Sequence, residues 1–288
     1  MKKTTIALLT AAAMGTSGAV MAANHGPSVG GRIDVSVTNL DGESTDFTDR
    51  SSRLDVFGST ELVGGLTGSY FVRAAFAEAE GDLTTNYKHF TVSGDFGRVQ
   101  FGQADNVVYN FAGVNTDRFR ELGGLGGGVT ATYGEAGSFT GQAIQAYTTI
   151  DMLTLGAYVD TANDEGIDNV QVGGMIDFDM GNIGLVYAED DANSDSEVVF
   201  GASVDLDIVS IGGHYSDKFD GSNPFAIAAT MPLDDTFSLI AGYGDDDAGT
   251  SDYNVSLAAD LGGGLDARVE YRNGDSKDGV ALNARYSF

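Results

Sequence analysis

Residues 280–288, VALNARYSF, alternate. Val280, Leu282, Ala284, Tyr286 and Phe288 take one parity, and Ala281, Asn283, Arg285 and Ser287 the other. Alternation of apolar and polar residues at period two marks a β-strand between two unlike surroundings. The pattern recurs along the chain. In LDARVEYRN, 265–273, Leu265, Ala267, Val269 and Tyr271 oppose Asp266, Arg268, Glu270 and Arg272. In VGGRIDVSV, 29–37, Val29, Ile33, Val35 and Val37 oppose Arg32, Asp34 and Ser36. Sixteen strands are predicted, at about 28–38, 52–62, 66–78, 84–94, 97–104, 139–148, 152–160, 168–178, 182–189, 196–206, 208–216, 223–231, 236–244, 251–261, 265–273 and 278–288. No amphipathic helix of useful length competes with them.

The connections fall into two alternating classes. Val63-Gly64-Gly65, Asp95-Phe96, Asp179-Met180-Gly181, Pro232 to Asp235 and Gly262-Gly263-Gly264 are tight. Those at 39–51, 79–83, 160–168, 189–196, 217–222 and 245–250 are longer and acidic. Tight turns at one end and longer loops at the other are the arrangement of a transmembrane β-barrel, whose tilted strands need about ten residues to cross the bilayer. A soluble sandwich alternates too, but it turns its polar faces to water and shares one apolar core. Charges opposite a continuous apolar face on nearly every strand suit a closed sheet with hydrocarbon outside and water inside. The expected fold is all-β: a transmembrane antiparallel β-barrel of about 16 strands.

The start of the chain obeys another rule. Lys2 and Lys3, a short apolar run over 6–14 and the small-residue pattern Val20-Met21-Ala22 make a secretory signal peptide, 1–22. Residues 23–288 are then one barrel domain. Loss of Lys2 and Lys3 leaves 13 basic against 42 acidic residues. Such a surface repels nucleic acid and gathers cations. An exported chain without cysteine has no disulfide to hold it, which favours a closed hydrogen-bonded sheet.

Three stretches resemble the Gram-negative general porin family. SRLDVFGSTELVGGLTGSYF, 52–71, is similar to the family's second strand, turn and third strand, with Arg53, Gly58, Glu61, Gly65 and Leu66 in the matching places. YKHFTVSGDFGRVQFGQ, 87–103, resembles the fourth strand, turn and fifth strand through Gly94, Phe96, Gly97 and Gly102. The third is the closing strand, whose Tyr286 and Phe288 resemble the signal read by the outer-membrane barrel assembly machinery. The resemblance implies a homotrimer in the outer membrane, with the third loop folded into the pore. The matching segment, 105–138, is the longest connection, and long loops in compact domains are usually functional. It carries Asp105, Asp117 and Glu121, with Arg118 and Arg120 among them. In the family, acidic residues of this loop face a basic ladder and set a transverse field at the constriction.

Parity supplies the ladder. An arginine facing lipid at the bilayer midplane costs about 2–4 kcal/mol. Arg32, Arg53 and Arg73 are therefore expected to face the lumen, with Lys88 and Arg98 as further members of the wall. Arg268, Arg272 and Arg285 are lumenal by the same rule, on strands expected to close against the first. Two departures stand out. Where the family often has a second basic residue four positions after Arg53, this chain has Phe57, and Phe57 and Phe71 both fall on the lumen parity. The segment 129–133, VTATY, also reads as a strand, which in the wall would make the count odd.

Other chemistry is thin. His25, His89 and His214 are scattered, without metal-ligand or triad spacing. DDANSDSE, 190–197, lacks the Gly and distal Glu of a calcium loop and suits a solvated outer loop, with divalent bridging to lipopolysaccharide as an added role. The glycines of 123–128 lack the Lys and Ser/Thr of a phosphate loop. Neither cofactor nor catalysis is expected. The function expected is passive diffusion of small hydrophilic solutes and ions, with mild cation preference from the net acidity. Two alternatives remain: a substrate-specific channel, for example for an oligosaccharide stacked on Phe57 and Phe71, and a non-conducting structural or adhesive barrel.

Overall fold

The computed structural model describes residues 25–49, 52–76, 83–120, 122, 143–160, 169–190, 195–219, 221–275 and 278–288. The expected signal peptide, the segment 129–133 and Glu121 lie outside them. The first strands are β1 (His25–Leu40), β2 (Asp46–Asp49), β3 (Arg53–Glu61), β4 (Thr67–Phe76), β5 (Leu83–Gly94) and β6 (Gly97–Gln103). After the long loop come β7 (Ala143–Ile150), β8 (Leu153–Asp160), β9 (Asn169–Phe178), β10 (Gly181–Asp190), β11 (Asp195–Leu206) and β12 (Val209–Lys218). The last are β13 (Phe225–Pro232), β14 (Phe237–Asp245), β15 (Ser251–Gly262), β16 (Leu265–Gly274) and β17 (Gly279–Ser287).

Each strand pairs antiparallel with its neighbours, and β17 returns to β1, with Arg32 opposite Ser287 and Leu40 opposite Gly279. The sheet is closed. β2 and β3 are two pieces of one wall strand: Val35–Thr38 of β1 pair with β2, and His25–Arg32 pair with β3. At the break, side chains take over from the ladder. The Ser52 hydroxyl accepts from the Asp34 amide at 2.8 Å, and the Ser52 amide donates to Asp49 Oδ1 at 3.0 Å. Counting that pair once, the wall has 16 strands. All sixteen coincide with the spans expected from alternation, within a few residues at each end, except that the second wall strand begins at Asp46, inside the connection expected over 39–51.

The two faces separate as the alternation requires. On β17, Val280 and Leu282 are exposed outward while Ala281 and Asn283 are buried. On β16, Val269 and Tyr271 are exposed outward and Glu270 is fully buried. Exposed aromatics gather near the two ends of the strands. Tyr187, Tyr215, Tyr243, Tyr253 and Tyr271 lie toward the long loops, and Phe178, Phe237, Tyr286 and Phe288 toward the short turns. An apolar outer band between two aromatic girdles matches a bilayer's hydrocarbon layer and its interfaces. No described helix is long and apolar enough to cross a membrane, which leaves a strand-built crossing unaffected.

Short turns close one rim. Gly64 and Gly65 of the 3-10 turn Val63–Gly65 both take φ near 78°, where a side chain would be strained. Phe288 bonds back to Gly31 through both backbone groups, at 3.0 and 3.1 Å, which finishes the seam on that rim.

Candidate functional site

The long loop after β6 turns into the barrel. It opens with a short helix, α1 (Val107–Phe111), capped by Asn106, whose side-chain oxygen accepts from the Tyr109 amide at 2.8 Å. Val107, Val108, Phe111 and Ala112 are buried with Ala143, Tyr147, Tyr158, Val186, Ala188 and Val199. This is a small apolar core inside the lumen. Burying one such large side chain contributes about 1.5–3 kcal/mol, so the loop is seated by its own hydrophobic contacts. Phe119 forms a second seat with Ala226, Ala228 and Ile240.

Glycine makes the seat close. Gly156, Gly173, Gly184, Gly201 and Gly212 stand on five successive strands, β8 to β12, beneath the loop. A Cβ on Gly156 would meet Phe111 Cζ at 3.0 Å, and one on Gly173 would meet Phe111 Cδ2 at 3.2 Å. On Gly184, Gly201 and Gly212 it would collide with the backbone of Phe111, Ala112 and Asn115 respectively. The loop main chain therefore lies flush against the wall and leaves more of the lumen open.

Polar groups fix the rest of the loop. Gln171 Oε1 accepts from the Val108 amide at 3.0 Å. The Arg118 side chain turns to the wall, donating to the Ser210 carbonyl and to Thr230 Oγ1, each at 3.0 Å. Burial pulls its pKa down, against a pull upward from Asp205. Glu270 accepts two loop amides, from Arg120 at 2.9 Å and Leu122 at 3.1 Å. Arg120 also pairs with Asp266 and donates to Asn283 Oδ1 at 3.0 Å. Arg268 donates to the Arg118 carbonyl at 2.8 Å, and Arg272 pairs with Asp252 at 2.5 Å.

The facing wall carries the expected arginines, and Arg32, Arg53, Arg73 and Arg285 are each set against a carboxylate. Asp55 lies between Arg73, at 2.9 Å, and Arg53, at 3.2 Å. Asp34 takes Arg285 Nε at 2.6 Å and Asn283 Nδ2 at 2.5 Å, with Arg32 at 3.9 Å. Arg98 stacks over Tyr147, 4.4 Å from the ring centroid. On the loop, Asp117 is exposed to the lumen and accepts from Tyr109 at 2.5 Å. Asp105 accepts from Tyr87 at 2.5 Å. Burial raises the Asp105 carboxyl above its ordinary range, against opposing pulls from the Tyr87 hydroxyl and Arg73. Between loop and wall a lumenal space of about 1970 Å³ remains, lined by Arg32, Arg53, Arg98, Asp117, Arg268 and Arg285 among others.

One expected wall residue is elsewhere. Lys88 is exposed on the outward face, with the parity of Phe90 and opposite Val72, whereas His89 and Thr91 line the lumen. It stands level with Gln103, the last residue of β6, where a long side chain carries its ammonium toward the interface. The acids Asp34, Asp55, Asp252, Asp266 and Glu270 were not among the expected site residues. For four of them the signal is a carboxylate two positions from an arginine on the same face, as in Arg32-x-Asp34, Arg53-x-Asp55, Asp266-x-Arg268 and Arg268-x-Glu270, whereas Asp252 meets Arg272 only across strands. Phe57 and Phe71 do face the lumenal space. Tyr286 and Phe288 stack on the outer face, 6.2 Å between centroids. Among the described residues, no group of His, Cys, Asp or Glu is arranged to hold a metal.

Similar barrels are known. A loop-deletion mutant of OmpT, an outer membrane protein of Vibrio cholerae, aligns over 91% of this chain and 99% of its own, at TM-score 0.74 and 17% identity. The in-vitro folded trimer form of OmpT aligns over 91% and 99%, at TM-score 0.75 and 15% identity. A triple mutant of Rhodopseudomonas blastica porin aligns over 91% and 100%, at TM-score 0.71 and 16% identity. These likenesses show the fold. No curated protein sequence matches the chain. The sequence profile of the Gram-negative porins matches residues 9–279, nearly the whole chain, and the chain therefore belongs to the Gram-negative porin family.

Proposed function

We propose that this protein is a general diffusion porin of the Gram-negative outer membrane, exported by residues 1–22 and working as a homotrimer. The observation that carries this reading is the lumenal space of about 1970 Å³ between a loop seated on one wall and the charged ladder on the other. Family membership and the trimer form of the similar OmpT barrel support it. Small hydrophilic solutes and ions pass by diffusion, without a cofactor or a chemical step. Arg32, Arg53, Arg73, Arg98 and Arg285 on the wall and Asp105 and Asp117 on the loop form the constriction, where lumen charge tunes selectivity.

The sense of that selectivity follows from pairing. Asp34 and Asp55 neutralise much of the arginine ladder, so the wall repels cations less than its arginines alone would. The acidic total of the chain then favours cations mildly at the mouths. Lipopolysaccharide at the outer loops and the barrel assembly machinery at Tyr286 and Phe288 are the partners this reading implies. Planar-bilayer recording under a salt gradient tests it. Large steps in groups of three, an unsaturated current and a small reversal potential toward cations are expected. A correctly inserted barrel without steps overturns the channel reading in favour of a structural or adhesive barrel.

A further inference from the structure

We propose that the lumenal wall holds a subsite for planar organic anions, built from Phe57, Phe71 and His89 beside the guanidinium groups of Arg53 and Arg73. The proposal depends on the channel reading only for how a solute reaches it. Phe57 lies opposite Phe71, and Phe71 opposite His89, on three adjacent strands of one face. The Phe71 and His89 rings are stacked, 5.5 Å between centroids and 15° between planes. Phe57 keeps 41% of its surface exposed, and all three line the lumen. A benzyl group left bare in a water-filled passage gains free energy when a second apolar face covers it.

Charge decides what that face belongs to. The next row toward the loops holds Asp55 and Arg73, and the row beyond it Arg53. Arg53 and Arg73 share Asp55, Arg32 and Arg285 share Asp34, and Asp105 lies near Arg73, so these four arginines and three carboxylates keep one net positive charge. Rows on one face lie about 7 Å apart. Arg53 starts two rows from Phe57, but its guanidinium bends back to Asp55, 3.2 Å away, and so reaches the intervening row. One row is the span of an aromatic ring with a carboxylate on a short linker, so the ring covers Phe57 while the carboxylate approaches the Arg53 guanidinium. Arg73 lies 5.2 Å from the Phe71 ring centroid and 4.5 Å from that of Tyr87, which fixes its plane beside the aromatic row.

The test uses the folded full barrel and four probes: phenylacetate, cyclohexylacetate, acetate and maltotriose. Cyclohexylacetate has the charge and bulk without the flat ring. In single-channel recording, phenylacetate is expected to interrupt the current at a concentration about two- to tenfold lower than cyclohexylacetate. Phe57→Ala and Phe57→Leu are each expected to remove that difference, and Arg53→Gln to weaken block by every anion. Equal block by the two ring acids, or a difference that survives both Phe57 variants, overturns the subsite. Block by maltotriose alone overturns the anion class in favour of a sugar surface. Saturation-transfer NMR on the detergent-folded barrel reads binding without conduction. Phe57-dependent transfer to phenylacetate in a non-conducting barrel refutes the channel reading and keeps the subsite. Conduction without such transfer does the reverse.

Discussion

Gly184 of β10 lies against the carbonyl oxygen of Phe111 in α1, with no room between them for a Cβ. The loop that narrows the lumen therefore touches the wall with its main chain. A side chain at this point has only one direction in which to displace the loop, into the passage.

Gly184→Ala, and Gly201→Ala beside it, should lift α1 off the wall. Overpacking of this kind costs about 1–3 kcal/mol. The expected outcome is a barrel that still folds but melts at lower temperature in detergent and shows altered single-channel conductance. Unchanged conductance in both variants would show that the glycine seat does not set the width of the passage.

Glu270 holds two loop amides with one carboxylate. Glu270→Ala leaves both donors without it and removes a negative charge from beside Arg268. Glu270→Gln keeps one acceptor oxygen. Open-channel noise should therefore rise in the order wild type, Gln, Ala. The Ala variant should lose about 2–5 kcal/mol of stability, as for truncation of one partner in a buried charged hydrogen-bond set. Denaturant titration in detergent measures the loss.

Asp55 and Lys88 separate lumenal from outward charge. Asp55→Asn should move the reversal potential toward anions, because Arg53 and Arg73 lose their shared carboxylate. Arg53→Gln should move it toward cations. Lys88→Leu should leave it in place, since that ammonium is on the outer face. A shift with Lys88→Leu comparable to that with Arg53→Gln would return Lys88 to the lumen.

Asp105 predicts a pH dependence. Its folded-state pKa is raised, by burial first. Its contribution to stability is therefore fully present below the ordinary carboxylate range and is lost as pH rises through the raised value. On acidification from neutral pH, Asp105 takes up a proton at a higher pH than an ordinary carboxylate does. Cation preference should fall over that window while the seating of the loop tightens. Reversal potentials measured from pH 7 downward in wild type and Asp105→Asn check this, with the step missing from the variant.

The wall was legible because one rule applies to every strand: outward residues meet hydrocarbon and inward residues meet water, so each span carries its own alternation. Lys88 shows the limit of inferring position from the cost of a charge. It shares parity with Phe90 and Val92, and that parity was the better guide, because the charge cost falls near the end of the apolar band. The pairing of Arg53 and Arg73 through Asp55 joins two strands, and a single strand's pattern does not contain it. The seat of the loop was least legible. Five glycines on five strands line up only once register fixes their relative heights, and glycine alone does not say whether a turn, a bulge or a close neighbour requires it.

The seam between β1 and β17 also bears on how the molecule comes into being. The strand that leads the wall in the sequence finds its second neighbour only when the strand that ends it arrives. Until then both carry unpaired edges, which recruit other chains as readily as they recruit each other. Joining them closes a loop of nearly the full chain, the largest sequence separation available and the slowest kind of contact to form. Closure of the wall is therefore expected to be the last step of folding, after every other strand pair has formed.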